Sequence, residues 1–375
     1  MINLREFVNH IVEQHPPKLS FLQSGMTDLQ KWRTSARMMA LNHLRYTPSS
    51  LGLDPEILES IEVDGLVREK LSFKSATDVN VPAYLIRPAH QTGRLPGIVA
   101  LHDHGSYYIH GKEKLVALED EPPHLLAYKR SGYGGRSYAT ELARQGYVVL
   151  VTDAFYFGER RLDLKDVFPS YAQNVFATQP ARGSAVNRAN EEHTVYEEVV
   201  ARYLFASGTT WMGIMAHDDR KSVDYLVSRP EVDPEKIGCI GLSMGGMRSN
   251  WLFGTDPRIK AAVTVGWMTN WRYLMERHVS LHSWSQFVPG LLEWLELSDL
   301  VSIGMPGALF VQQCTADNLF PLYGMTETCR EIEAAYTKAD LKDRFWYRFY
   351  DVPHEFNTRM QDDAFAWLDQ WLKDH

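Results

Sequence analysis

The 375-residue sequence predicts an α/β protein with a mostly parallel central sheet flanked by helices. Two observations lead there. From Gly97 onward, short apolar runs alternate with segments of helical composition, the order that produces crossover connections between parallel strands. One of those runs then leads directly into Gly241-Leu242-Ser243-Met244-Gly245, so that Gly-x-Ser-x-Gly lies between an apolar strand and a helix.

Residues up to about Leu53 read as helical and irregular. Thr27 to Leu44 has helix-favouring composition, with Leu29, Trp32, Met38, Leu41 and Leu44 at mixed three-to-four spacing, and Thr47-Pro48-Ser49-Ser50 reads as a break. Residues 1–60 are therefore expected to form an N-terminal helical extension packed on a main domain, 61–375; an arm making a homo-oligomer contact is the alternative. Leu66 to Phe73 and Val81 to Arg87 flank the polar stretch Lys74 to Asn80, as in a hairpin. Gly97 to Leu101 is short and continuously apolar, as a strand buried on both faces should be.

The alternation then runs through a helix at Ser137 to Gln145, a strand at Tyr147 to Thr152, a helix at Met212 to Ser228 and a strand at Lys236 to Gly241. It continues with a helix at Met244 to Phe253 and strands at Ala261 to Val265 and Gly307 to Gln312. A helix from Leu322 to Ala335, a strand from Phe345 to Tyr350 and a helix from Asp362 to Leu372 complete it. Three stretches, about 103–136, 155–210 and 267–303, break the pattern. Each follows a predicted strand at its carboxyl end, the edge where open α/β sheets bind ligands, and each reads as a lid-like insertion.

Bulk properties exclude several classes. Hydrophobic residues make up 45%, enough for a large core, and the formal net charge is -8 with no basic run to hold a phosphate backbone, so a nucleic-acid partner is not expected. Cys239, Cys314 and Cys329 are too few and wrongly spaced for a disulfide framework or a zinc site, and suit a reducing compartment. Residues 1–16 hold no uninterrupted apolar core of a signal peptide, and no stretch approaches the roughly 20 apolar residues of a membrane span. A cytoplasmic protein without membrane contact is the expectation.

The Gly-x-Ser-x-Gly context is that of a nucleophile elbow. Ser243 would sit on a strained strand-to-helix turn, where the residues two before and two after come too close to carry side chains; Gly241 and Gly245 meet that demand. The turn aims a helix N-terminus at the reaction centre, and the N–H of Met244 becomes one oxyanion donor. A plain glycine-rich helix start with a capping serine is the alternative reading. A serine hydroxyl needs a base, and position must choose among 14 histidines. The order Ser, acid, His along the chain places the base after the last strand, at His354, and the acid after the preceding strand, at Asp317, with Asp351 a rival. Taken singly, Asp317 could be a turn aspartate and His354 a solvated loop histidine. The second oxyanion donor should lie in His102-Asp103-His104-Gly105, with the N–H of His104 first and Gly105 next. A metal held by His102, Asp103 and His104 is disfavoured, because neighbours in an extended turn point apart.

At these residues the chain resembles the dienelactone-hydrolase-related α/β-hydrolases, most closely their acetyl xylan esterase-like branch. The segments that carry the resemblance are Val151 to Arg160, Ser228-Arg229-Pro230-Glu231-Val232-Asp233 leading into the elbow, Val288-Pro289-Gly290-Leu291, and Phe310 to Pro321. It covers roughly Gly97 to the C-terminus. It implies the α/β-hydrolase fold, Ser243, Asp317 and His354 as triad, Met244 as an oxyanion donor, and no cofactor. The oxyanion turn departs from a plain His-Gly-Gly, which leaves the second donor open.

Aromatic residues in or beside the insertions, Tyr107, Phe155, Trp211, Trp267, Trp271 and Trp284, could line an acyl or sugar pocket or could form the insertions' own core. Glu159, Arg160 and Arg161 read first as structural ion pairs. The expected function is a serine-dependent carboxylic ester hydrolase acting on a small-molecule ester, with acetylated sugars among the candidates. A serine peptidase or amidase is the alternative, and a non-catalytic binding protein of this fold is a third reading.

Overall fold

The computed structural model describes residues 2–14, 16–164 and 184–373. Its strands are β1 Glu56–Val63, β2 Leu66–Ala76, β3 Val79–Pro88, β4 Leu95–Leu101, β5 Val148–Thr152, β6 Val232–Leu242, β7 Ile259–Val265, β8 Ala308–Cys314 and β9 Phe345–Tyr350. They form one sheet in the order β1-β2-β3-β5-β4-β6-β7-β8-β9. The pairs up to β3–β5 are antiparallel, and every pair from β5–β4 to β8–β9 is parallel. This is the α/β-hydrolase architecture.

The sheet divides the core into two layers. In β4, Val99 and Leu101 face one layer while Ile98 and Ala100 face the other, all fully buried, which is why the sequence shows a continuous apolar run and no alternation. Helices Trp211–Ser228, Met244–Thr255 and Leu322–Lys338 fill the first layer; helices Tyr138–Arg144 and Thr358–Leu372 fill the second.

The hairpin β2–β3 turns more tightly than the polar stretch suggests, with only Thr77 and Asp78 between the strands and Asp78 at φ 58°. Strand β1 is not legible in the sequence and begins inside the segment expected to be helical. It is an edge strand whose Glu56, Glu59 and Glu62 are exposed and whose Ile57 and Leu58 both face solvent, so it lacks the apolar alternation that marks a strand. Such charge on an edge discourages pairing with other chains.

Ahead of the sheet, helix Leu29–Leu44 is capped by Asp28, whose side chain accepts the Lys31 N–H at 2.9 Å. It buries Trp32, Ala36, Ala40 and Leu44 at a four-residue repeat. The approach is close: a Cβ on Gly213 would lie 2.2 Å from the Leu44 carbonyl oxygen. Arg37 Nε donates to the Gly254 carbonyl at 3.2 Å, tying this helix to the one that follows Ser243. The first helix, Leu4–Gln14, buries no residue.

The three insertions carry structure of their own, with helices Pro123–Tyr133, Ala185–Ala206, Trp271–Leu274 and Leu297–Ser302. Residues 165–183 of the second insertion lie outside the described residues.

A buried ion pair secures the helix that follows Ser243. Arg248 Nε and Nη2 donate to the two oxygens of Asp219 at 3.0 and 2.5 Å, with both side chains at most 1% exposed. Removing the cation alone strands a carboxylate in the core. Arg248→Leu is therefore expected to cost about 3–5 kcal/mol, read from urea unfolding; a loss below about 1 kcal/mol would show that Asp219 finds another partner or a proton.

Candidate active site

Ser243 follows β6 and opens helix Met244–Thr255 at φ 59°, ψ −122°, a conformation that favours glycine. The neighbouring glycines are required by contact. A Cβ on Gly241 would lie 2.3 Å from the Gly245 carbonyl carbon, and one on Gly245 would lie 2.1 Å from the Leu101 carbonyl oxygen. The second contact also presses the turn after β4 against the elbow. The Ser243 N–H is held by the Val265 carbonyl at 2.8 Å.

Asp317 follows β8 and His354 follows β9. Register brings them together: the Thr315 and Ala316 N–H groups bond the Tyr350 and Val352 carbonyls, pinning one exit loop to the other. His354 Nδ1 lies 2.5 Å from Asp317 Oδ2, and Asp317 Oδ1 accepts the Leu319 N–H at 2.8 Å. The Asp317 side chain is only 1% exposed. The acceptor at Nδ1 sets the proton there and leaves Nε2 as the basic nitrogen; Nε2 is buried and has no hydrogen-bond partner among the described residues. Gly266, at φ 58°, lies against the ring, where a Cβ would sit 3.2 Å from His354 Cε1. Asp351 is exposed and accepts the Thr315 hydroxyl at 3.1 Å.

In the turn after β4, His102 uses both ring nitrogens on backbone: Nδ1 to the Asp103 carbonyl at 2.8 Å, Nε2 from the Ala154 N–H at 3.1 Å. Burial pushes its pKa well below the usual histidine range. Asp103 accepts the hydroxyls of Tyr128 and Tyr133. Neither residue has a side chain free to ligate a metal with His104. Among the described residues one carboxylate group is metal-sized, Glu113, Asp153 and Glu159. The ammonium of Lys112 reaches all three at 2.9, 2.8 and 2.7 Å and supplies the positive charge there. Glu159 pairs also with Lys70, and Arg160 pairs with Asp218 at 2.7 Å, so these residues serve as ion pairs.

One residue at the site carries no signal in the sequence. Glu197, from helix Ala185–Ala206, accepts from His104 Nε2 at 2.5 Å, Tyr108 Oη at 2.9 Å and Ser283 Oγ at 3.0 Å. Burial alone would raise its pKa, but the His104 ring and the two hydroxyls hold it below the usual carboxylate range. It joins all three insertions at one point. Ser283 in turn touches Ser285 at 2.9 Å, which reaches the Met244 sulfur at 4.0 Å.

The aromatic candidates separate. Trp211 is 1% exposed and packs edge-on against Phe155 and Tyr156 at 5.7 and 5.2 Å, so Trp211 is core and not an open pocket wall, with Phe155 held against it. Trp267 is equally buried, stacked on His282 at 5.0 Å and in contact with Phe320 at 4.8 Å, whose ring is 6.3 Å from that of His354. Burial drives the His282 pKa down to about 4, so that imidazole is neutral. Tyr107 stacks on Tyr128 at 4.4 Å beside the turn after β4. Trp271 lines a cavity of about 690 Å³ with Leu4, Val8, Phe287 and Val288; Ser243 and His354 are not among its walls. Trp284 is 43% exposed, near Phe205 and Phe287. Trp271 and Trp284 therefore cover an insertion's own apolar surface.

Comparison with known proteins gives the same class. A dienelactone hydrolase family model matches residues 134–268, and a prolyl oligopeptidase family model matches residues 205–374. YtaP of Bacillus subtilis (strain 168), a proposed hydrolase, is 25% identical over 341 residues, which are 91% of this chain and 100% of that protein. A proposed acetyl xylan esterase of Bacteroides fragilis NCTC 9343 superposes with a TM-score of 0.70 at 14% identity, covering 93% of this chain and 83% of that one. Glucuronoyl esterase from Solibacter usitatus superposes with a TM-score of 0.64 at 14% identity, covering 95% and 98%. The chain therefore has the α/β-hydrolase fold and is similar, over the matched stretches, to the dienelactone hydrolase and prolyl oligopeptidase families.

Proposed function

We propose that the protein is a serine-dependent carboxylic ester hydrolase that works through an acyl-enzyme. The observation that carries this reading is the pair His354 Nδ1–Asp317 Oδ2 at 2.5 Å, with the opposite nitrogen buried and without a partner among the described residues, at the same sheet edge as Ser243. Ser243 Oγ attacks the ester carbonyl and its proton passes to His354 Nε2. The carbon–oxygen bond to the alcohol then breaks as His354 returns that proton to the leaving oxygen. Water, deprotonated by the same nitrogen, attacks the acyl-enzyme and regenerates Ser243. The N–H of Met244 and one from His104 or Gly105 receive the oxyanion. The named neighbours, an acetyl xylan esterase and a glucuronoyl esterase, favour small esters borne on sugars.

The prolyl oligopeptidase match favours one second reading, a serine peptidase with the same triad. A panel of p-nitrophenyl esters and aminoacyl anilides separates the two. We expect turnover of p-nitrophenyl acetate with kcat/KM at least about 100-fold above any anilide, a difference of roughly 3 kcal/mol in the barrier. The opposite ranking would establish the peptidase reading, and no turnover of either would defeat both. We read the location as cytoplasmic: all three cysteines are buried free thiols, and among the described residues no helix is long and apolar enough to cross a membrane.

A further inference from the structure

Lys114 is fully buried, and its ammonium makes an uncommon pair of contacts: Nζ donates to the Asp103 carbonyl at 2.9 Å and to the His104 carbonyl at 3.0 Å. Those carbonyls belong to two particular peptide groups. The N–H of the first peptide is that of His104 and the N–H of the second is that of Gly105, the two candidate oxyanion donors after β4. In a trans peptide the C=O and N–H point to opposite sides of one rigid plane. A group that fixes where both carbonyls point also fixes where both N–H groups point, which is away from Lys114. The carbonyl side is doubly filled, because Asp103 O also receives His102 Nδ1 at 2.8 Å and His104 O also receives the Tyr107 N–H at 3.1 Å. On the other side, neither N–H has an acceptor among the described residues.

Burying an ammonium is costly and calls for compensation. An ordinary ion pair supplies little of it here. The nearest carboxylate oxygen, Asp103 Oδ1, is 3.8 Å away and is already bonded to the Tyr133 hydroxyl. The rings of Tyr107, Tyr128 and Phe157 stand around the ammonium at 5.9, 5.1 and 5.3 Å. Burial pushes the lysine down to about 8. The charge is thus aimed at two carbonyl oxygens, where it draws electron density and makes the linked N–H groups stronger donors.

We propose that Lys114 is a positioning residue of the oxyanion hole, one that orients and polarises the His104 and Gly105 peptides together. The proposal rests on the serine-hydrolase reading of Ser243. The test uses the full chain with Lys114→Met and Lys114→Gln, each active site counted by fluorophosphonate titration so that only folded, reactive enzyme is scored. Two quantities are compared with wild type: kcat on p-nitrophenyl acetate, and the affinity for phenylboronic acid. That acid binds as Ser243 Oγ adds to boron, the Oγ proton passing to His354, to give a tetrahedral anion.

Lys114→Met is expected to lower kcat per site about 10- to 100-fold with KM within about threefold, and to weaken the boronate by a similar factor; one oxyanion donor alone is worth about 10²–10³. Lys114→Gln should fall between, since its amide can serve one carbonyl without a charge. If sites of both variants turn over and bind boronate within about twofold of wild type, whatever their yield, Lys114 only supports the fold and the proposal is wrong. A wild-type protein that neither hydrolyses the ester nor takes the fluorophosphonate would overturn the serine-hydrolase reading instead.

Discussion

Ser243→Ala is expected to lower ester turnover by about five to six orders of magnitude, the loss seen when a serine nucleophile is removed from a complete triad. The fold should be unaffected. Serine and alanine both carry a Cβ, so the strain at φ 59°, ψ −122° is the same in each. Ser243→Gly should be equally inactive but more stable by about 1 kcal/mol, because glycine enters that region without the clash. A fluorophosphonate should label Ser243 alone: the Oγ–P bond forms, the P–F bond breaks, and the Oγ proton passes to His354. Residual turnover near wild type in the alanine variant, or a label on another residue, would remove Ser243 from the mechanism.

The second large effect is expected at the acid. Asp317→Asn should cut kcat/KM by about 10⁴ while the melting temperature stays close to wild type. The reason is the tautomer. Asp317 Oδ2 accepts from Nδ1, and an amide NH₂ in its place would face Nδ1 as a donor, moving the ring proton to Nε2, where it blocks uptake of the serine proton. Asp351→Asn should keep activity, since that carboxylate is exposed and engages only the Thr315 hydroxyl among the described residues. Side-by-side kinetics, normalised to titrated sites, decide it. If Asp351→Asn were the crippled variant, the acid would have been misassigned, while Ser243 and His354 could stand.

Sequence and structure divide the work along a physical line. The succession of strands and helices along the chain, the elbow and the triad candidates are legible because each rests on something local. Buried parallel strands need continuous apolar runs, as in Ile98 to Leu101. The elbow needs glycines at 241 and 245, where contacts of 2.3 and 2.1 Å would admit nothing larger. The order of Ser243, Asp317 and His354 follows from which strand each one leaves. Strand β1 is not legible because an exposed edge strand has no apolar face to pattern.

What only the tertiary structure decided is which polar residues are buried and which aromatics are core. Lys114, in Gly-Lys-Glu-Lys, and Glu197, in a helix rich in charge, look like solvated surface in the sequence. They become site residues through partners far along the chain, His104 and Ser283 for Glu197 and two backbone carbonyls for Lys114. Trp211, Trp267 and Trp284 are one residue type with three fates, core, site flank and surface, set by long-range packing. By itself the sequence determined the class of fold and the candidates for nucleophile, base and acid, since strand periodicity, steric demand for glycine and order along the chain are all local. Folding decided the surroundings of those candidates, because desolvation and hydrogen-bond partners exist only once distant segments meet.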